Sequence, residues 1–176
     1  MFWLKLVRDF IAILREGQSP AQVAGGFALG SIVGFSPVFT LQGFVVWFII
    51  LLLDVNLSAA LVAFTICGLV AFLLDPLFHW LGFTLLVRID ALQQLWTSLY
   101  NAPVAPLTRF YNTVVMGSFV VALACALPIY FGMKKFVVAY RSTIGARVEK
   151  WKVYQILKRS ALYQWYVRVR NLGVKL

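Results

Sequence analysis

Charge is scarce in this chain: only 12% of its 176 residues are Asp, Glu, Lys or Arg. Soluble globular domains usually carry about 25%. The shortage leaves too little polar surface to coat a core of this size and excludes an ordinary soluble fold. Histidine is almost absent, with one in the whole chain, and there are two cysteines. Without His or Asp beside them, two cysteines make neither a metal site nor a disulfide framework. Cys67 and Cys125 lie inside apolar runs, where a thiol packs as a small hydrophobe. The apolar part has no acidic pair at short spacing, and the chain has no GxxxxGK[ST] phosphate loop. No catalytic residue, cofactor or metal is therefore expected.

What the chain has in quantity is apolar and aromatic residues, 62% and 16% of the total. Such a chain is expected to sit in lipid. The net charge of +10 is unevenly placed. Up to Met133 the basic residues Lys5, Arg8, Arg15, Arg88 and Arg109 are balanced by Asp9, Glu16, Asp54, Asp75 and Asp90. Beyond it the cations from Lys134 to Lys175 face Glu149 alone. A basic tail after a hydrophobic span is a cytoplasmic anchor against anionic headgroups, and no nucleic-acid fold is recognisable.

Five segments follow. Residues 1–18 form an interfacial amphipathic helix, with charges on one side and aromatics and aliphatics on the other. They carry no small-residue cleavage site, so no cleavable signal peptide is expected. Residues 19–88 are the membrane core. Their apolar runs of about 15 residues fall short of the ~20 that cross a bilayer, suggesting broken or re-entrant helices. Ser19-Pro20, Ser36-Pro37 and Asp75-Pro76 each resemble a helix start, with a capping side chain before Pro. Residues 89–106 make a periplasmic-side interfacial helix and a Pro-rich turn. Residues 107–133 hold the one full-length span. The basic tail, 134–176, could be helical at 147–159, and alternates with strand-like period over 163–170. The fold expected is an all-α integral membrane protein.

Three constellations could carry function. Gly26, Gly30 and Gly34 recur every four residues, a smooth stripe that admits another backbone. That backbone can belong to this chain, to a partner or to a lipid tail. Ser36 and Pro37, with Thr40 and Gln42, could place a half-helix N-terminus inside the bilayer and bind an anionic group. Asp75 and His79 share a helix face, where a proton relay competes with simple capping and packing.

The segments SPAQVAGGFALGSIVGFSP, TLQG, DVNLSAA and DP within residues 19–82 resemble a bacterial membrane family known as domain of unknown function 2062. The matching positions are Ser19, Pro20, Gly26, Gly30, Gly34, Pro37, Gln42, Asn56 and Pro76. Members usually carry Asn where this chain has Asp75. The resemblance implies a multi-pass inner-membrane protein working beside a large, singly anchored periplasmic protein. The expected function is then a non-enzymatic subunit that admits phospholipid to an AsmA-like bridge. The lipid- or partner-binding residues are Gly26, Gly30, Gly34, Ser36, Pro37, Gln42, Asn56, Asp75 and His79. Two alternatives stand beside it: a free-standing homo-oligomeric transporter or channel, and a lipid-modifying enzyme using Asp75 and His79.

Overall fold

The computed structural model describes residues 18–145. The expected interfacial helix at 1–18, but for its last residue, the helix at 147–159 and the strand at 163–170 lie outside them. The chain divides into one compact unit, Met1–Val137, and a second, Val138–Leu176, of which residues 138–145 are described. Among the described residues every regular element is helical.

Helix α1, Pro20–Phe35, starts as the sequence suggests. The Ser19 hydroxyl accepts from the Gln22 N–H at 3.2 Å, and the Gln22 amide oxygen accepts from the Ser19 N–H at 2.9 Å. This reciprocal capping box satisfies two otherwise orphaned donors. Ser36-Pro37 breaks the first apolar run as expected, but it does not open the next helix. Pro37 holds the residue before it out of the helical region, and Ser36 is extended at φ −97°, ψ 151°. Helix α2, Leu41–Leu52, is started by Thr40, whose hydroxyl accepts from the Gly43 N–H at 3.3 Å.

Helix α3, Leu57–Phe83, is capped by Asn56, whose side-chain oxygen accepts from the Ala59 N–H at 2.6 Å. Asp75-Pro76 does not interrupt it as expected. Pro76 removes one hydrogen bond, but breaking the helix in apolar surroundings would orphan several. The helix continues into a π-helical turn, Thr84–Arg88. Helix α4, Asp90–Tyr100, matches the periodicity of its sequence, and the Trp96 indole N–H donates to the Leu85 carbonyl at 2.9 Å. A 3-10 turn, Ala105–Thr108, leads to helix α5, Thr113–Ala139. Two helices, not the one expected, are long and apolar enough to cross a membrane: Leu57–Arg88 with 32 residues and Thr113–Thr143 with 31.

The packing follows from small residues. Gly26 faces the Asn56 backbone and Gly30 faces that of Ala60, so α1 and α3 run parallel, with α2 returning between them in the chain. Gly82 faces Thr113 and Gly117 faces Phe78, so α5 runs antiparallel to α3. Ile32 and Val33 of α1 meet Val46 and Ile50 of α2, Ala60 of α3 and Ala122 of α5 in one core cluster. The outward faces are apolar: Phe72 and Leu73 are 78% and 76% exposed, and Leu52, Leu127 and Phe131 are exposed too. An apolar surface of this extent is one that a bilayer solvates and water does not.

Candidate functional site

The glycine stripe is occupied within the chain. A Cβ on Gly26 would collide with the Asn56 carbonyl, and one on Gly30 with that of Ala60. A Cβ on Gly34 would come within 2.8 Å of both the Cys67 Cβ and the Phe64 carbonyl. All three glycines are buried. The stripe is therefore the seat of α3 and is closed to a lipid tail or a partner helix. Asn56, also expected to bind, is a buried cap whose N–H donates to the Gln22 carbonyl at 3.1 Å. Beside it the Gln22 amide donates to the Asp54 carboxylate at 2.7 Å, fixing the start of α1 against the start of α3. Spacing alone cannot show such a bond between distant segments.

Asp75 and His79 are brought onto one face but not together. The imidazole Nδ1 of His79 is 2.7 Å from the Thr113 hydroxyl, and its ring lies 6.1 Å from that of Phe83. Both Asp75 and His79 are exposed on the flank of α3. No relay between them is formed in this geometry. Among the described residues no three His, Cys, Asp or Glu side chains gather around a common point.

Ser36, Pro37 and Thr40 lie in the turn between α1 and α2, and Gln42 follows in the first turn of α2. Pro37 is exposed there, whereas the Ser36 hydroxyl and the Gln42 amide oxygen are buried. These two atoms have no hydrogen-bond partner among the described residues. Buried polar atoms are nearly always paired, so this turn is polar ground inside an apolar protein. The capping hydroxyl of Thr40 is itself held by its own loop, donating to the Pro37 carbonyl at 2.9 Å.

A cleft of about 420 Å³ opens beside this turn. One wall is Phe39, Thr40, Leu41 and Phe44 from the start of α2; the other is Pro106, Leu107, Arg109 and Tyr111 from the segment before α5. The walls are apolar and the charge is single. Arg109 is the one non-glycine residue with positive φ among the described residues, at 55°, and its N–H donates to the Pro106 carbonyl at 2.9 Å. The left-handed backbone ends the 3-10 turn and sets Arg109 in the cleft wall. At the start of α2 the Gly43 N–H donates to the Thr40 hydroxyl and the Phe44 N–H to the Thr40 carbonyl, so this end of the cleft is already capped by its own residues. Tyr111 also lines a second cavity of about 380 Å³, with Leu86, Val87, Trp96, Thr97, Tyr100 and Phe110. Edge-on ring contacts of Tyr111 with Tyr100 and with Phe110 hold the partition between the two.

Arg109, Phe39 and Tyr111 were not among the residues expected to bind. Nothing in the sequence neighbours of Arg109 announces a left-handed backbone.

The comparisons agree with this architecture in extent. The family described as "Uncharacterized protein conserved in bacteria (DUF2062)" matches residues 5–144, well beyond the stretch 19–82 that carried the resemblance. A protein of Treponema pallidum (strain Nichols), described as "Uncharacterized protein", is 26% identical over 160 residues, covering 89% of this chain and 98% of its own length. No solved structure matches. The family match runs from before α1 to the end of α5 and takes in the stripe, the turn and the cleft; this chain belongs to the bacterial DUF2062 family.

Proposed function

We propose that this chain is a non-enzymatic subunit of a bacterial inner-membrane complex that admits phospholipid from the bilayer and passes it to a large periplasmic partner. The observation that carries the reading is the cleft between the start of α2 and residues 106–111. Its aromatic and aliphatic walls suit acyl chains, and the Arg109 guanidinium suits a phosphate. The reading is also supported by the side on which the cleft lies. Lys134 and Lys135 stand at the far end of α5 from Arg109 and Tyr111. The positive-inside bias then gives the cationic end to the cytoplasm and the cleft to the periplasmic surface. There the amphipathic α4 supplies an interfacial shelf on which a partner can rest. The non-enzymatic part of the reading is supported by His79, whose imidazole is engaged by Thr113 and not by Asp75.

Photo-crosslinking with a phospholipid analogue, on the full chain in lipid nanodiscs, tests the proposal. Label is expected to concentrate on peptides containing Phe39–Phe44 and residues 106–111, and to fall several-fold in Arg109→Gln. Labelling spread evenly over the outward faces of α3 and α5, unchanged by Arg109→Gln, would overturn it.

A further inference from the structure

The cavity of about 380 Å³ is walled mainly by rings: Trp96 and Tyr100 of α4, with Phe110 and Tyr111 from the segment before α5. These rings stand at angles to one another. Trp96 and Phe110 are tilted by 34° at 5.9 Å, whereas Tyr111 stands at 75° to Phe110 and at 78° to Tyr100. Aromatic residues that merely anchor a protein at a membrane surface need not converge on one space. Here four rings surround one cavity from several directions. Their π-electrons attract a cation, and such cages are how proteins recognise quaternary ammonium groups.

The chain supplies no cation of its own to this cage. Among the described residues no charged side chain lines it. Arg88, which follows Val87 of the cavity wall, sets its guanidinium over the Phe83 ring instead, 5.7 Å from the centroid. The donors in the wall are engaged elsewhere. The Trp96 indole N–H donates to the Leu85 carbonyl and the Thr97 hydroxyl to the Gln93 carbonyl, each at 2.9 Å. A primary ammonium entering here would meet no carboxylate and would leave N–H groups unpaired, at the cost of their desolvation. A trimethylammonium group carries no N–H and asks only for the rings.

We propose that this cage holds the trimethylammonium group of a choline phospholipid whose phosphate lies against Arg109. The proposal rests on the lipid-binding reading of the cleft and names the headgroup. Tyr111 lines both cavities, so one ring separates the cage from the space that Arg109 lines. A choline head carries its ammonium two carbons beyond the phosphate ester oxygen. Its two charges therefore fall in the order the protein offers, the anion at a guanidinium and the cation among rings. The cage can be reached from outside, since Tyr100 and Tyr111 are 59% and 52% exposed.

The test uses the full chain, isotope-labelled at its tryptophan indoles, in nanodiscs of phosphatidylglycerol. Tetramethylammonium chloride is titrated in, with ammonium chloride as the control, and the Trp96 indole resonance is followed by NMR. Trp96→Phe identifies that resonance by its loss. A saturable shift is expected with tetramethylammonium and none with ammonium. Tyr100→Leu is expected to raise the dissociation constant about threefold or more, whereas Tyr100→Phe, which keeps the ring, binds like the parent. No residue of α4 is buried, so neither variant disturbs the core, checked by an unchanged circular dichroism spectrum. In nanodiscs of phosphatidylcholine the headgroup already fills the cage, and added tetramethylammonium should move the resonance little. No saturation, indifference to Tyr100→Leu, or a full shift in phosphatidylcholine would each overturn the proposal. A cleft that crosslinks to lipid without any Trp96 response would overturn the cage and leave the lipid reading standing. A cleft that takes no label would overturn the lipid reading, and the headgroup assignment with it.

Discussion

Gly82 of α3 and Gly117 of α5 lie face to face: a Cβ built on either would come within 3.0 Å of the other's backbone nitrogen. It would also collide with a carbonyl, that of Thr113 for Gly82 and that of Phe78 for Gly117. The two apolar helices long enough to cross a membrane therefore touch backbone to backbone at this point. In a bilayer, where lipid tails compete equally for apolar side chains, such close approach is what makes one helix prefer another.

Alanine at either glycine is accordingly expected to destabilise the fold by about 1–3 kcal/mol, the usual cost of forcing extra volume into a packed site. Gly132, further along α5, meets nothing within 4 Å of an added Cβ. Gly132→Ala should be neutral or stabilising by up to about 1 kcal/mol, through helix propensity. Denaturant titration of the three purified variants, followed by circular dichroism, decides between this contrast and a uniform glycine effect.

The stripe on α1 gives a ranking. Alanine at Gly26 or Gly30 meets backbone carbonyls, which cannot move away without shifting α3. At Gly34 part of the obstruction is the Cys67 side chain, and at Gly25 it is only the Val55 methyl, at 3.1 Å. Loss of thermal stability in detergent should therefore be largest at positions 26 and 30, smaller at 34 and smallest at 25. Equal losses at Gly25 and Gly30 would mean that α1 and α3 are less closely apposed than described.

What the sequence made legible was whatever rests on neighbours along the chain. Ser19-Pro20 with Gln22 declares a helix start, and residues 89–101 declare an amphipathic helix, because capping and periodicity are local. Ser36-Pro37 and Asp75-Pro76 display the same dipeptide signal as Ser19-Pro20, yet one ends a helix and the other passes through one. Thr40 takes over the capping after Pro37, and at Pro76 the apolar surroundings make a break costlier than a missing bond. The glycine stripe was visible as a stripe, but its occupant was not, because Asn56 and Ala60 arrive from another helix. The cleft was invisible for the same reason: its walls are about 65 residues apart, and Arg109 enters it through a backbone angle no motif announces.

Arg109 allows fold and binding to be separated. A left-handed backbone costs a side-chain-bearing residue about 1–2 kcal/mol, a strain glycine does not carry. Arg109→Gly should therefore be as stable as the parent or slightly more so, while losing the cation of the cleft. In the nanodisc crosslinking experiment it is expected to lose label as Arg109→Gln does. A variant that unfolds would show that the guanidinium, and not the backbone turn, holds residues 105–112 in place.

The attachment of α4 rests on one polar bond in an aromatic setting. Trp96 donates its indole N–H to the Leu85 carbonyl, inside the π-helical turn, and stacks at 5.9 Å on Phe110. Leu85 thus has a donor from outside its own helix, within a π-helical turn whose carbonyls are displaced from the usual α-helical partners. No residue of α4 is buried, so little else holds this helix to the end of α3. Trp96→Phe keeps an aromatic ring but removes the donor. Hydrogen exchange of the amides in residues 90–100 is expected to quicken by roughly tenfold, the consequence of losing about 1–1.5 kcal/mol from one hydrogen bond. Exchange in α1 should stay unchanged, because its packing involves none of these residues. If the two helices quicken together, α4 belongs to the cooperative core, and the second cavity is a structural gap instead of a place where the molecule opens.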